Sequence, residues 1–140
     1  MTYEEWEAGV PEPIRKDPLW KVEAYRIGLF LSDLAWHDVT AMLKDRRTLS
    51  VADQLFRAAG NISSNIAEGY SRSTAMDRAR FYEYASGSAR ESRDWYYKGR
   101  RVLKPEVVDH RIELCTQIVR LTITMIIRER RANRRIARKD

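Results

Sequence analysis

Three short breaks divide the middle of this chain into four long segments of helical periodicity, and the shortness of those breaks constrains the fold more than any single motif. Asp17-Pro18 makes a helix start, with aspartate as N-cap and proline at the first helical position. The first helix is predicted from Pro18 to Lys44, followed by a basic loop, Lys44-Asp45-Arg46-Arg47. Ser50, with Asp53 three residues on, caps a second helix that ends near Gly69, a residue suited to the left-handed position just past a helix end. Ser73 or Thr74 opens a third helix reaching about Leu103. Lys104-Pro105-Glu106 punctuates again before a fourth helix that runs to at least Arg130. There is no strand alternation, internal repeat or low-complexity tract. Long helices joined by short connections must lie antiparallel to their neighbours, so the expected fold is all-α, an up-down-up-down antiparallel four-helix bundle over residues 18–130. Residues 1–17, acidic and containing two prolines, read as a loosely held N-terminal arm, and residues 131–140 as a basic C-terminal tail.

The size and charge fit that layout. A chain of 140 residues is one domain with a real core, and a net charge of +6 favours acidic partners, nucleic acid first among them. The single cysteine, Cys115, excludes an intrachain disulfide and sits in an apolar run as a buried, inert thiol. The acidic N-terminus lacks the apolar stretch of a secretion signal, and no segment is apolar for long enough to span a membrane, so the expected location is cytoplasmic.

Two of the helices carry more apolar surface than one core needs. The fourth has one stripe of Val108, Ile112, Cys115, Val119, Ile123 and Ile126, and a second of Val107, Leu114, Ile118, Leu121 and Met125. The first pairs Ile27, Leu31, Leu34 and Met42 with a separate row of Val22, Tyr25, Leu29, Trp36 and Leu43. One core requires one stripe per helix, so the surplus points to a homo-oligomer. Its interface candidates are Tyr25, Leu29, Trp36, Leu114, Ile118, Leu121 and Met125.

The second helix is unusual in another way. Leu55, Ala59, Ile62 and Ile66 form its core stripe, flanked by small Gly60, Ser63 and Ala67. Its other flank is a row of Gln54, Arg57, Asn61, Asn65 and Glu68, with Ser64 close by, where a solvated helix would carry lysine and glutamate. On the third helix, large Phe81 and Trp95 alternate with small Ala85, Ser88, Ser92 and Gly99 on the inward face, with Glu91 at its edge. Buried carboxylates need partners, so Glu68 and Glu91 are expected to find arginine or amide donors, Arg57 foremost, in a polar network that sets helix register.

These residues resemble a known family. Gln54-Leu55, Arg57-Ala58-Ala59, Ser64-Asn65-Ile66-Ala67-Glu68-Gly69 and Arg72-Ser73 are similar to the signature of the 23S rRNA intervening-sequence proteins. So are Phe81, Ala85, Gly87-Ser88 and Glu91 in the third helix and Ala24-Tyr25-Arg26 in the first. The pattern spans about half the chain. The family usually has proline where Ser63 stands and aliphatic residues at Tyr82, Ala89 and Ser92, and the basic run Arg128 to Lys139 is longer than usual. The resemblance implies a small bacterial or archaeal four-helix bundle without enzymatic activity. A relative in diversity-generating retroelements forms a pentameric ring, binds nucleic acid and associates with a reverse transcriptase.

Read for chemistry, the chain offers little to an enzyme. His37 and His110 lie on different helices; Asp33 and Glu106 sit one turn before them, as solvated pairs. A di-iron bundle needs repeated Glu-x-x-His motifs, whereas only a reversed His110-x-x-Glu113 is present. No metal site, cofactor or phosphate loop is expected. Two basic clusters stand out instead: Lys44, Arg46 and Arg47, and Lys98, Arg100, Arg101 and Lys104. In an up-down bundle the first and third connections share one end, so these residues would form one basic surface for RNA or DNA phosphates, salt-sensitive and weakly sequence-specific. The competing expectation is a scaffold that docks a protein partner such as a reverse transcriptase.

Overall fold

The computed structural model describes residues 1–139, and they are helical without strands. Two short helices, α1 (Tyr3–Ala8) and α2 (Glu12–Arg15), precede four long ones: α3 (Glu23–Met42), α4 (Leu49–Tyr70), α5 (Ala75–Lys98) and α6 (Pro105–Lys139). Each long helix packs on the next in the chain, and α3 also packs on α6, closing a ring of four around one core. Gly28 lies against Ile62 and Trp36 against Phe56, so residue numbers rise along α3 as they fall along α4. Arg78 reaches Glu129 and Arg93 reaches Thr116, which gives α5 and α6 the same antiparallel relation.

Several helix ends differ from their sequence reading, each for a local reason. Asp17 does cap, accepting from the Leu19 N–H at 2.9 Å, but it caps a 3₁₀ turn, Pro18–Lys21. The extended Val22 then interrupts the chain, and α3 starts at Glu23. Ser50 is not a cap, because Asp45 caps a 3₁₀ turn at Arg46–Thr48 that feeds straight into α4. Thr48, buried there, donates to the Met42 carbonyl at 2.6 Å and ties the turn to the end of α3. Thr74 caps α5 as expected, accepting from the Asp77 N–H. The basic tail is no separate segment, since α6 continues unbroken to Lys139.

Gly69 is the clearest correction. It lies inside α4, and no glycine among the described residues has a positive φ. A Cβ at Gly69 would stand 2.9 Å from Phe81 Cβ and 2.9 Å from Tyr82 Cε1, so glycine is needed there for the close approach of α4 to α5. Gly87, inside α5 with nothing within 4 Å of its would-be Cβ, has no such duty. Gly87→Ala is therefore expected to raise stability by about 1 kcal/mol through helix propensity. Gly69→Ala should lower it, because overpacking costs of about 1–3 kcal/mol outweigh that gain. Chemical denaturation of the two variants checks the opposite signs.

The core is built from Leu31, Ala35 and Met42 of α3, Leu55, Ala59, Ile62 and Ile66 of α4, and Cys115, Ile118, Val119 and Ile126 of α6. Each fully buried Leu or Ile contributes about 1.5–3 kcal/mol. The inward face of α5 is partly the expected one: Ala85, Ser92 and Gly99 are buried as predicted, but Tyr82, Ala89 and Tyr96 join them in place of Phe81, Ser88 and Trp95. Phe81 and Trp95 are only half-buried, beneath the cations of Arg72 and Lys98 respectively. Tyrosine can enter where its hydroxyl finds a buried acceptor, and Tyr96 finds Asp38 at 2.7 Å.

Residues 1–17 are not a loose arm. Thr2 and Glu5 form a reciprocal capping box at the start of α1, and Trp6, only 5% exposed, packs with Val10 on Phe30 and Leu34 of α3. The Trp6 indole donates to Asp33 Oδ2 at 2.7 Å and stacks on Trp20 at 6.0 Å between ring centroids. Burial, and then the hydrogen bond to Glu7, push the Tyr3 phenol up to about 12.

Candidate nucleic-acid interface

The end of the bundle that joins α3 to α4 also joins α5 to α6. Gly99, just past α5, is pressed so close to Met42 that a Cβ would fall 2.5 Å from Met42 Cε. The two basic clusters consequently meet at one end, but their members are not equivalent. Arg47 grips Asp45 with two hydrogen bonds, at 3.0 and 2.6 Å, and those bonds hold the Asp45 carboxyl down at about 2. Lys98 pairs with Asp94 at 2.7 Å and lies 4.7 Å from the Trp95 ring centroid. Arg100 lies 4.1 Å from the Tyr97 ring centroid and donates to the Tyr97 carbonyl. Lys44, Arg46, Arg101 and Lys104 are exposed or on exposed turns and make no ion pair among the described residues. The surface thus combines uncommitted cations with an exposed Tyr97 and a half-buried Trp95, aromatic rings that each carry a cation of the same helix end on one face and offer unpaired bases the other.

The polar row of α4 is not a buried network. Arg57, Asn61, Ser64 and Glu68 are exposed and Asn65 is half-buried. Their bonds stay within single helix turns: Arg57 pairs with Asp53 at 3.3 Å, Asn65 donates to the Asn61 carbonyl, Ser64 to Gly60, and Glu68 pairs with Arg72 at 2.5 Å. On α5 the Ser88 carbonyl accepts from Ser92, while exposed Glu91 accepts from the Trp95 indole at 3.2 Å. Exposed carboxylates need no deep partner, which is why Arg57 serves neither Glu68 nor Glu91. Such surface pairs contribute about 0–1 kcal/mol each.

The charged network that is buried was missed. Asp38 of α3, 8% exposed, accepts from the Tyr96 hydroxyl at 2.7 Å and from Arg111 of α6 at 2.8 and 3.2 Å. Burial pushes the Tyr96 phenol far above its ordinary range, with the Asp38 charge adding to it. The signal was there: Asp38 stands one turn from both Leu34 and Met42, and Arg111 between Val108 and Cys115, charges set in apolar stripes. His110 lies beside Arg111, at 2.6 Å, and is held below its usual range by burial and by that charge. Burial also pushes the Cys115 thiol up to about 12. Among the described residues no group of three or more His, Cys, Asp and Glu is placed to hold a metal ion, and no helix is long and apolar enough to cross a membrane.

Of the surplus apolar residues, most are covered within the chain. Ile118 is fully buried, because α6 is flanked by both α3 and α5 and needs a broad apolar face. Leu114, Leu121 and Met125 are half-buried against the core, the last two lining a 550 Å³ cavity with Tyr70, Arg78, Tyr82 and Glu129. Tyr25 packs edge-on to Trp20, and Leu29 lies under the N-terminal arm. Trp36 alone among the candidates is exposed, at 63%, beside Leu43 and Phe56.

Comparison with known proteins agrees with the architecture. A crystal structure of a protein with unknown function from the S23 ribosomal protein family of Bacteroides thetaiotaomicron VPI-5482 superposes with a TM-score of 0.68. It is 18% identical and covers 74% of this chain and 97% of its own, a likeness of fold. No curated protein matches the chain. The family model described as 23S rRNA-intervening sequence protein matches residues 21–124, from the turn before α3 well into α6. The chain belongs to the 23S rRNA-intervening sequence protein family.

Proposed function

We propose that this protein is a non-enzymatic, oligomeric bundle that binds single-stranded nucleic acid through the basic end. The observation that carries the reading is the meeting of the two connections at Met42 and Gly99, which brings Lys44, Arg46, Arg101 and Lys104 to the end of the bundle where the last turn of α5 carries Trp95 and Tyr97. Phosphate contacts supply affinity there and stacking tolerates any base, so the surface favours strand over sequence. Arg47 and Lys98, each held by its own carboxylate, contribute less. Replacing Lys44, Arg46, Arg101 and Lys104 together by alanine is expected to flatten the salt dependence of single-stranded RNA binding by about 3 in log–log slope. Fluorescence anisotropy from 50 to 200 mM salt reads this, and an unchanged slope would sink the basic-end reading.

The oligomeric part of this reading draws on the exposed Trp36, Leu43 and Phe56. Their ring and side-chain faces line a 230 Å³ hollow between α3 and α4, and we assign it to a second copy of this chain. Sedimentation of Trp36→Ala should then show a smaller assembly than the parent protein, the pentamer of the resembling ring being the reference state.

A further inference from the structure

Along its second half, largely past the matched region, α6 carries a feature that the basic end does not explain. Its outer surface bears Arg120, Arg131 and Arg138, spaced eleven and seven residues apart, close to whole numbers of helical turns. Arg134 lies on one side of that row, and Arg128 and Arg135 lie on the other, so the arginines share about 120° of the helix circumference. All six are exposed and make no ion pair among the described residues. Arg130, on the same face, is instead tied to Glu83 of α5. The opposite face of the helix holds Thr122, Ile126 and Glu129 against the bundle, which leaves the arginine face open along its length. From Arg120 to Arg138 it runs about 27 Å, and about 13 Å of helix projects beyond the last ion pairs with α5.

We infer that this face of α6 is a second nucleic-acid site, a recognition helix for the major groove of duplex DNA, separate from the proposed single-strand surface. A cationic face this wide suits a groove: the central arginines point to its floor and the flanking ones to the phosphates of its two walls. The B-form major groove is about 12 Å wide and admits an α-helix, whereas the A-form groove of duplex RNA is too narrow and deep for one. A membrane surface fits worse. The exposed Ile123 and Ile127 lie on or beside the cationic face, the bundle occupies the opposite face as far as Arg130, and beyond it Ile136 is the one large apolar residue exposed among the described residues, so no continuous apolar side is free to enter lipid.

The test uses the full chain with Arg131, Arg135 and Arg138 replaced together by glutamine, a good helix former. On a 20-base-pair DNA duplex, the variant's salt slope should be shallower by about 2.7, so from 50 to 200 mM salt the parent loses about 40-fold more affinity than the variant. Guanine N7 atoms, which face the major groove, should be protected from methylation by the parent and not by the variant. The matching lysine variant should retain the slope, since it keeps the charge. Single-stranded RNA binding should be unchanged by the glutamine substitutions, and the alanine variant of the basic end should leave the duplex slope intact, which keeps the two sites distinguishable. An unchanged duplex slope, unprotected N7 atoms, equally tight binding to duplex RNA, or binding to phosphatidylserine vesicles in preference to DNA would each overturn the assignment.

Discussion

Asp38→Ala is expected to destabilise the protein by about 3–5 kcal/mol, because it strands a buried guanidinium without its carboxylate. Arg111 is 13% exposed at its side chain and donates two hydrogen bonds to Asp38, its one carboxylate partner among the described residues; Tyr96, fully buried, would lose its hydroxyl's acceptor as well. For a chain of this length the loss corresponds to a fall in Tm on the order of 10–15 °C. The neighbouring variants separate causes. Tyr96→Phe removes one hydrogen bond and leaves the ion pair, so about 1 kcal/mol is expected. Replacing Asp38 by leucine and Arg111 by methionine together should recover most of the loss, since apolar packing can substitute for a buried pair whose desolvation was costly. Equilibrium unfolding in urea measures all three. An Asp38→Ala loss below about 1 kcal/mol would mean that water reaches Arg111 and that the pair is a surface contact.

Trp6→Ala is the second large effect, and it should be local. Trp6 sits among Tyr3, Trp20 and Phe30, with ring centroids 5.4, 6.0 and 5.2 Å away, and it bonds Asp33. Truncating a buried tryptophan costs about 3–5 kcal/mol. The N-terminal helices hold to the bundle mainly through this cluster, so the cost falls on docking of residues 1–17 rather than on the four-helix core. Amide exchange in α1 should accelerate by about 10²–10³-fold while that of α4 and α6 stays near its parent value. Equal acceleration across all helices would show that the arm and the bundle unfold as one unit.

The two variants mark where sequence reading succeeded and where it stopped. The helix layout was legible because caps, prolines and 3.6-residue periodicity act over a few residues: Thr74 caps α5 and Pro105 opens α6 where expected. The residues of the basic end were legible too, as clusters. Which of them remain uncommitted was not, because that depends on Asp45 and Asp94 presenting their carboxylates to Arg47 and Lys98. The polar row of α4 was misread as interior for a related reason. Amides and small residues mark either a solvated face or a buried seam, and only the neighbouring helices decide which. Phe81 and Trp95 were assigned inward by size alone, yet their neighbours Tyr82 and Tyr96, about 100° further round the helix, enter the core beside the expected Ala85 and Ser92.

By itself, the sequence determined that this chain is four long helices, with a family signature on the second and third and a net positive charge. Those properties follow from short-range backbone preference, hydrophobic period and composition. Only the tertiary structure decided that Gly69 serves close helix approach rather than a turn, that the arm is docked, and that Asp38 is the buried charge. The physical reason is distance along the chain: Trp6 and its acceptor are 27 residues apart, and Asp38 and Arg111 are 73. Pairings of that kind are set by how the helices rotate and pack against one another, which no local pattern specifies.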